Sequence, residues 1–171
     1  MPNLKDIRRR IKSVKNTQKI TQAMRMVAAA KVKKAETRIK KARPYGEALR
    51  EVFTGVYNEL KNHVSALEGS RYIELLKPRP IKKLGIVVIS SDRGLCGAFN
   101  STIIRQTFKL EKAIKAQGIE PKFYFVGRKI ATSFKRYGDS QVLGSMMDMT
   151  AAPTSDHANE VAETLTKAFL E

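Results

Sequence analysis

The sequence of 171 residues has little that would support a disulfide, a membrane span or a secretory signal. It contains one cysteine, Cys96, so no disulfide can form within the chain, which is typical of a reducing compartment. Its purely apolar runs, such as residues 84–89, are at most six residues long and fall far short of the roughly 18 residues that a membrane helix needs. The N-terminus is charged and has no apolar region, so we expect no secretory signal there.

Acidic residues are scarce in the first quarter of the chain. Residues 1–43 contain 15 lysine and arginine residues but only two acidic ones, Asp6 and Glu36. This segment therefore carries +13 of the chain's net charge of +17. A segment this basic predicts an acidic partner, which could be nucleic acid, an anionic membrane or an acidic protein surface.

The same segment has the spacing of a long helix, which we predict over residues 1–61. Asn3 is a suitable N-cap, and no glycine precedes Gly46. The apolar residues recur at intervals of three and four and then change phase, as in a coiled-coil stutter: Leu4, Ile7, Ile11, Val14, then Ile20, Met24, Val27. Pro44 is expected to kink or interrupt the helix. A helix of this length spans roughly 85 Å, so it must protrude and needs a partner helix for its apolar seam.

The second half of the chain alternates between strand and helix patterns. After a linker at residues 62–80, an α/β domain is predicted over residues 81–171, with a Rossmann-like, doubly wound parallel sheet and right-handed crossovers. Strands are expected at residues 84–90, 122–126 and 141–143, and helices at 100–117, 128–137 and 155–170, the last one capped by Thr154, Ser155 or Asp156. Because another strand should follow the last helix, we expect the domain to be incomplete at its C-terminus, in a fragment or a shortened gene product.

The loop at residues 90–100 lies between the first strand and the next helix, where α/β folds often bind phosphate. It contains neither G-x-G-x-x-G nor the P-loop pattern. We therefore predict no nucleotide site, and Gly94 and Gly97 are expected to serve a tight turn and close packing.

The polar and sulfur-containing residues of this loop do not form a recognisable catalytic set. Asp92 and Arg93 are expected to belong to a structural turn, with mutual pairing or a partner contact as alternatives. Cys96 is expected to be a small buried residue, because no histidine lies near it in sequence. His63 and His157 lack metal-ligand spacing, so we predict no metal, no cofactor and no catalytic residue.

Two long strings of residues resemble the gamma chain family of F-type ATP synthases. The first is N-T-Q-K-I-T-Q-A-M-R-M-V-A-A-A-K at residues 16–31, and the second is S-D-R-G-L-C-G-A-F-N at residues 91–100. The triplet R-P-Y at residues 43–45 adds weaker support. The resemblance covers essentially all of the chain.

This resemblance implies a non-catalytic rotor subunit. In that family the N-terminal helix pairs with a C-terminal helix in an antiparallel coiled coil that passes through the ring of alpha and beta subunits. The α/β domain sits near the epsilon chain and the membrane ring of c subunits. Proton flow turns the shaft, which drives the beta subunits through the nucleotide-binding states of ATP synthesis. The C-terminal helix of the family is missing from these 171 residues.

The resemblance also implies a location and contact residues. The location is peripheral, on the cytoplasmic face of a bacterial plasma membrane or on the stromal face of a thylakoid. Met24 matches a family position near an acidic loop of the beta subunit, and Arg8, Arg9 and Lys19 match the basic surface around it. The residues that match the family's structural motif are Asp92, Arg93, Gly94, Cys96 and Gly97.

Other functions would also use a basic helix or a strand–helix loop. A bZIP protein places a basic region before its apolar seam, but here the two overlap, and no aromatic residue before Tyr45 could stack on bases, so we predict no nucleic-acid partner. A membrane-surface helix would carry aromatic residues on its apolar face, and residues 1–44 contain none. An organellar transit peptide would be shorter and richer in serine. An enzyme using residues 90–100 would need a base, a nucleophile or a metal set that this loop lacks.

Overall fold

The computed structural model of the protein describes residues 3–62, 75 and 79–171. The chain divides into two units, residues 1–67 and residues 68–171, each of which is described by itself. The linker predicted at residues 62–80 lies largely outside the described residues.

The described residues of the first unit form a continuous α-helix of 59 residues, α1 (Leu4–Asn62), about 88 Å long. It begins where predicted, because the Lys5 N–H group donates a hydrogen bond to Asn3 Oδ1 at 3.4 Å. Pro44 lies inside α1, so of the expected kink or interruption, the interruption is wrong and the kink stays a prediction. A proline removes one helix hydrogen bond, but on an exposed helix water can satisfy the carbonyl group that is freed.

The second unit is an α/β domain built on a three-stranded parallel sheet. Its strands are β1 (Lys83–Ile89), β2 (Glu120–Val126) and β3 (Gln141–Met146), and its helices are α2 (Phe99–Ala116), α3 (Arg128–Tyr137) and α4 (Ser155–Leu170). The strand order is β1-β2-β3 with all neighbours parallel, which confirms the predicted α/β class. A doubly wound sheet has a point at which the strand order reverses. The three described strands show no such reversal.

The main core lies between one face of the sheet and helices α2 and α3. Phe123 and Phe125 of β2 and Phe134 of α3 are almost completely buried. The Phe134 ring lies 4.8 Å from each of the other two rings, measured between centroids, and the Phe108 ring of α2 stacks on it at 5.5 Å. This aromatic cluster explains why the short α3 is held firmly on the sheet.

Helix α4 covers the opposite face. Tyr124 and Val126 of β2 form a second cluster with Met146 of β3, against which Val161 and Leu165 of α4 pack. Thr154 caps α4: its hydroxyl accepts the His157 N–H at 3.4 Å, and the Thr154 N–H donates to His157 Nδ1 at 3.1 Å. Thr154 is therefore the cap among the three residues predicted. Helices lie on both faces of the sheet, as predicted for an α/β fold.

Candidate functional site

The carboxyl ends of the three strands meet around the side chain of Asp92. Its Oδ1 atom accepts the N–H groups of Arg128 and Asp148, each at 2.9 Å. Its Oδ2 atom accepts the Thr150 N–H at 3.3 Å and also the Thr150 hydroxyl. The Arg128 guanidinium in turn pairs with the Asp148 carboxylate. We call Asp92, Arg128, Asp148 and Thr150 the Asp92 cluster, and it joins the loops that follow β1, β2 and β3.

These hydrogen bonds set the ionisation of Asp92. Partial desolvation raises the pKa of its carboxyl group, but the hydrogen bonds from Thr150, Asp148 and Arg128 outweigh that effect and lower the pKa from 3.8 to about 2. The carboxylate is thus charged at neutral pH, a weak base, and engaged by four donors. A carboxylate in this state can hold the loops together through hydrogen bonds, but it is a poor general base.

The lowered pKa predicts an acid-sensitive contribution to stability. Because the pKa of Asp92 is lower in the folded than in the unfolded chain, its stabilising effect is complete above pH about 4 and is lost as the pH falls to about 2. We expect Asp92→Asn to lower the free energy of unfolding at pH 7 by on the order of 1–2 kcal/mol, with solvent screening allowed for. Urea denaturation of both proteins between pH 7 and pH 2 measures this difference.

The matched control for this experiment is Glu163→Gln, which neutralises an exposed carboxylate of α4. It should leave the free energy of unfolding at pH 7 within about 0.5 kcal/mol of the wild-type value. A gap between wild type and Asp92→Asn that stays constant down to pH 2 would contradict the role given to the Asp92 carboxylate.

Asn100 holds the rest of the loop. Its Oδ1 atom accepts the Ser91 N–H at 3.1 Å, and its Nδ2 group donates to Ser91 Oγ at 2.8 Å and to Cys96 Sγ at 3.0 Å. Cys96 is exposed, so the prediction of a buried cysteine is wrong. The reason is the turn itself: Leu95 and Gly97 both have positive φ angles, of 61° and 56°, and the chain between them bulges into solvent.

The two glycines of the motif differ in what they do. Gly97 has the left-handed backbone expected of a tight turn, whereas no positive φ occurs at Gly94. A methyl group added at either position would have no atom within 4 Å. Close packing, which was expected of both glycines, is therefore wrong for both.

Asp92 and Arg93 do not pair in this loop. The Asp92 carboxylate turns towards the loops after β2 and β3, and the Arg93 side chain is exposed. The Arg93 carbonyl group accepts hydrogen bonds from Ser91 Oγ and Asn100 Nδ2. The N–H groups of Arg128, Asp148 and Thr150 would be the natural donors to a phosphate at this edge, and Asp92 already occupies all three.

The residues matched to the beta-subunit surface lie on α1, and all four side chains are exposed: Arg8, Arg9, Lys19 and Met24. At 100° per residue, Arg8 and Lys19 lie within about 20° of each other around the helix axis. Met24 lies about 160° from Arg8, on the side that also carries Arg9. The helix therefore does not gather these four residues on one face, and a single partner must surround α1 to contact them all.

Within residues 3–62 and 79–171, no three histidine, cysteine or acidic side chains are grouped so that they could hold a metal ion. None of the helices described here is long and apolar enough to cross a bilayer.

Five residues at the carboxyl ends of the strands were not identified from the sequence. These residues are Ser90, Gly127, Arg128, Asp148 and Thr150. Ser90 is buried, and its Oγ atom accepts the Ile130 N–H at 3.1 Å. All of them lie within four residues after the end of a strand, and in a parallel sheet such positions share one edge. Their place after the strands is thus the signal that could have identified them.

Comparison with known proteins places these features in a family. The model of the ATP synthase family matches residues 3–171. The chain is 42% identical over 170 residues to the ATP synthase gamma chain of Nostoc sp., which covers 99% of the chain and 52% of that protein. The gamma chain of Crocosphaera subtropica is also 42% identical and that of Synechococcus elongatus is 40% identical, with the same coverage. The chain spans about half the length of the curated relatives it matches.

Proposed function

Because the chain belongs to the ATP synthase family, we propose that it acts as part of the central stalk of an F-type ATP synthase, in the position of the gamma chain. The observation that carries this proposal is α1, a helix of 59 residues whose side chains are exposed from residue 3 to residue 59. Its apolar residues require a partner helix, and its charge requires an acidic surrounding.

The proposed action is mechanical coupling. A shaft that presents different side chains to different beta subunits biases each of them towards a different nucleotide-binding state, because the side chains around its circumference are not equivalent. The chain itself would supply no catalytic group. Its partners would be the alpha and beta subunits, the epsilon chain and the ring of c subunits, and its location would be peripheral at an energy-transducing membrane.

The distribution of the candidate contact residues fits a helix inside a ring. Arg8 and Lys19 share one side of α1, while Met24 and Arg9 share another. A flat partner surface could reach only one of these sides, whereas a ring of subunits reaches both. We therefore assign Arg8 and Lys19 to electrostatic contacts with acidic groups of the ring, and Met24 to an apolar contact.

Binding to alpha and beta subunits tests the proposal. The tagged chain is mixed with the alpha and beta subunits of Nostoc sp., and binding is measured at several salt concentrations. We expect a complex whose affinity falls as salt rises, because the contact is largely ionic. The double substitution Arg8→Glu with Lys19→Glu should weaken binding about tenfold or more at low salt.

The matched control makes the same charge change on the α/β domain. Lys109 and Lys112 are exposed, lie three residues apart on one side of α2, and are replaced together by glutamate. This variant should change the affinity less than about twofold. If the wild-type chain does not bind alpha and beta subunits in an assay where the full-length Nostoc gamma chain does, the proposed function is wrong for this chain.

A further inference from the structure

Helix α4 is held on the sheet less firmly than the two helices of the opposite face. Ile114 of α2 and Phe134 of α3 are each at most 5% exposed. No residue of α4 is buried to this degree. Its apolar residues Val161 and Leu165 are only half-buried where they pack on the sheet. Because the free energy of apolar contact grows with the area buried, any further contact that holds α4 has a large influence on its position.

One side chain from outside α4 holds its last turn. The Arg79 Nη2 group donates a hydrogen bond to the Phe169 carbonyl group at 2.9 Å, and the Arg79 guanidinium lies over the Phe169 ring, 3.8 Å from its centroid. Apart from bonds to residues 154 and 171, which adjoin the helix, α4 makes no other hydrogen bond to the rest of the described chain. We call these two interactions the Arg79–Phe169 contact.

The direction of α4 explains why Arg79 reaches it. A helix that follows a parallel strand runs back towards the amino ends of the strands, so the last turn of α4 lies near the start of β1, four residues after Arg79. In that turn the carbonyl groups lack partners within the helix, and the helix dipole favours a cation. Because Arg79 precedes Pro80, its backbone is restricted to extended conformations, which lowers the entropy lost when its side chain docks.

We propose that Arg79 is a positioning residue of the central stalk, and that it makes α4 share the load that reaches the α/β domain along the chain from α1. This inference rests on the proposed function, in which such a load arises whenever the stalk turns against its partners. Arg79 precedes β1 and every later element of the domain, so the load passes Arg79 before it reaches the sheet.

The Arg79–Phe169 contact gives the load two routes into the sheet. One route is the chain itself, through β1 and its hydrogen bonds to β2. The other route runs through Arg79 and Phe169 into α4, which packs on Tyr124 of β2 and Met146 of β3. When two routes share a load, each set of contacts bears less of it than it would alone. Without Arg79, the hydrogen bonds between β1 and β2 therefore carry the whole load.

Single-molecule force measurements with two pairs of attachment points test this role. All proteins carry Cys96→Ser, which removes the chain's one natural thiol, and Lys135→Cys at an exposed position of α3. In the first geometry the second thiol is Asn58→Cys on α1, so the load passes Arg79. In the second geometry it is Lys82→Cys, which follows Arg79, so the load bypasses the Arg79–Phe169 contact. The unfolding rate of the α/β domain is measured at constant force in both geometries.

The substitution Arg79→Ala should affect the two geometries differently. In the first geometry the domain should unfold at least about tenfold faster, because a cation–π interaction and a charged hydrogen bond are both lost from the loaded route. In the second geometry the rate should change less than about threefold, because the lost contact was not loaded. Arg79→Lys keeps the charge but not the planar group that stacks on the ring, so its effect in the first geometry should be intermediate.

The matched control is Arg105→Ala, which removes an exposed arginine of α2 that lies on neither route. It should change both unfolding rates less than about twofold. An equal acceleration by Arg79→Ala in the two geometries would overturn the proposal, because Arg79 would then stabilise α4 without carrying load. No acceleration in either geometry would overturn it as well.

Failure of this proposal is distinguishable from failure of the proposed function. The 171-residue chain is tested in parallel for binding to the alpha and beta subunits. Binding together with equal effects of Arg79→Ala in the two geometries would reject the role of Arg79 alone. A tenfold effect confined to the first geometry, without binding, would reject the central-stalk role and leave load sharing as a property of the domain.

Discussion

Replacement of Phe134 by alanine is expected to destabilise the α/β domain by about 3–5 kcal/mol, the usual cost of removing a buried phenylalanine from a core. Phe134 contacts the rings of Phe108, Phe123 and Phe125, and it connects both helices of that face to the central strand. A domain of this size has a total stability of only about 5–15 kcal/mol, so the loss is a large fraction of it. Urea denaturation followed by tyrosine fluorescence measures the effect, because the chain has no tryptophan.

The control for this substitution lies three residues further along the same helix. Tyr137 is 70% exposed, and Tyr137→Ala should cost less than about 1 kcal/mol. The aromatic cluster would not be the centre of the core if the two variants unfolded at the same urea concentration. Tyr45 and Tyr57 lie on α1, so both are replaced by phenylalanine in every protein compared, which removes the tyrosine signal of α1.

Replacement of Gly127 by alanine is the second large effect that we expect. Gly127 has a φ angle of 98°, which residues with a side chain rarely adopt, and an added Cβ atom would lie 2.3 Å from the Ser90 carbonyl oxygen. The strain and the overlap together should cost about 3 kcal/mol or more. Because Gly127 precedes Arg128, the shift should also disturb the hydrogen bond from the Arg128 N–H group to Asp92.

Two other glycines allow the cost of backbone strain to be measured separately from the cost of atomic overlap. Gly118 has a φ angle of 73° with nothing near an added Cβ atom, so Gly118→Ala tests strain alone and should cost about 1 kcal/mol. Gly94 has neither feature, so Gly94→Ala should change the free energy of unfolding by less than about 0.5 kcal/mol. Thermal denaturation of the three variants gives the ranking. Equal midpoints for Gly127→Ala and Gly118→Ala would show that overlap with the Ser90 carbonyl oxygen does not contribute to the loss of stability.

Elements with a local sequence signal lie where they were predicted. The bounds of α3 and α4 agree with the predicted residues 128–137 and 155–170. β3 runs three residues beyond its prediction, to Met146, because Gly144 weakens the strand pattern. In the fold, Gly144 is needed there: the Tyr124 ring lies 2.8 Å from where its Cβ atom would be. That requirement comes from the neighbouring strand and has no trace in the local pattern.

The uninterrupted helix at Pro44 and the exposed position of Cys96 have a similar origin. Both residues were interpreted from average preferences, proline as a helix breaker and cysteine as a buried residue. On an exposed helix the missing hydrogen bond of Pro44 is tolerated. At Cys96 the positive φ angle of Leu95, whose side chain is 95% exposed, turns the loop outwards. In both cases the surroundings of the residue outweighed its average preference.

By itself the sequence determined the long basic helix, the α/β class of the second unit and the motif that identifies the family. These properties depend on charge, periodicity and residues that are close in the chain. Tertiary structure alone decided that Asp92 joins three loops, that α4 lies on the opposite face from α2 and α3, and that none of the described strands pairs with the outer edge of β1. Asp92 and Asp148 are 56 residues apart in sequence, and only the parallel arrangement of the strands brings their loops to the same edge of the sheet.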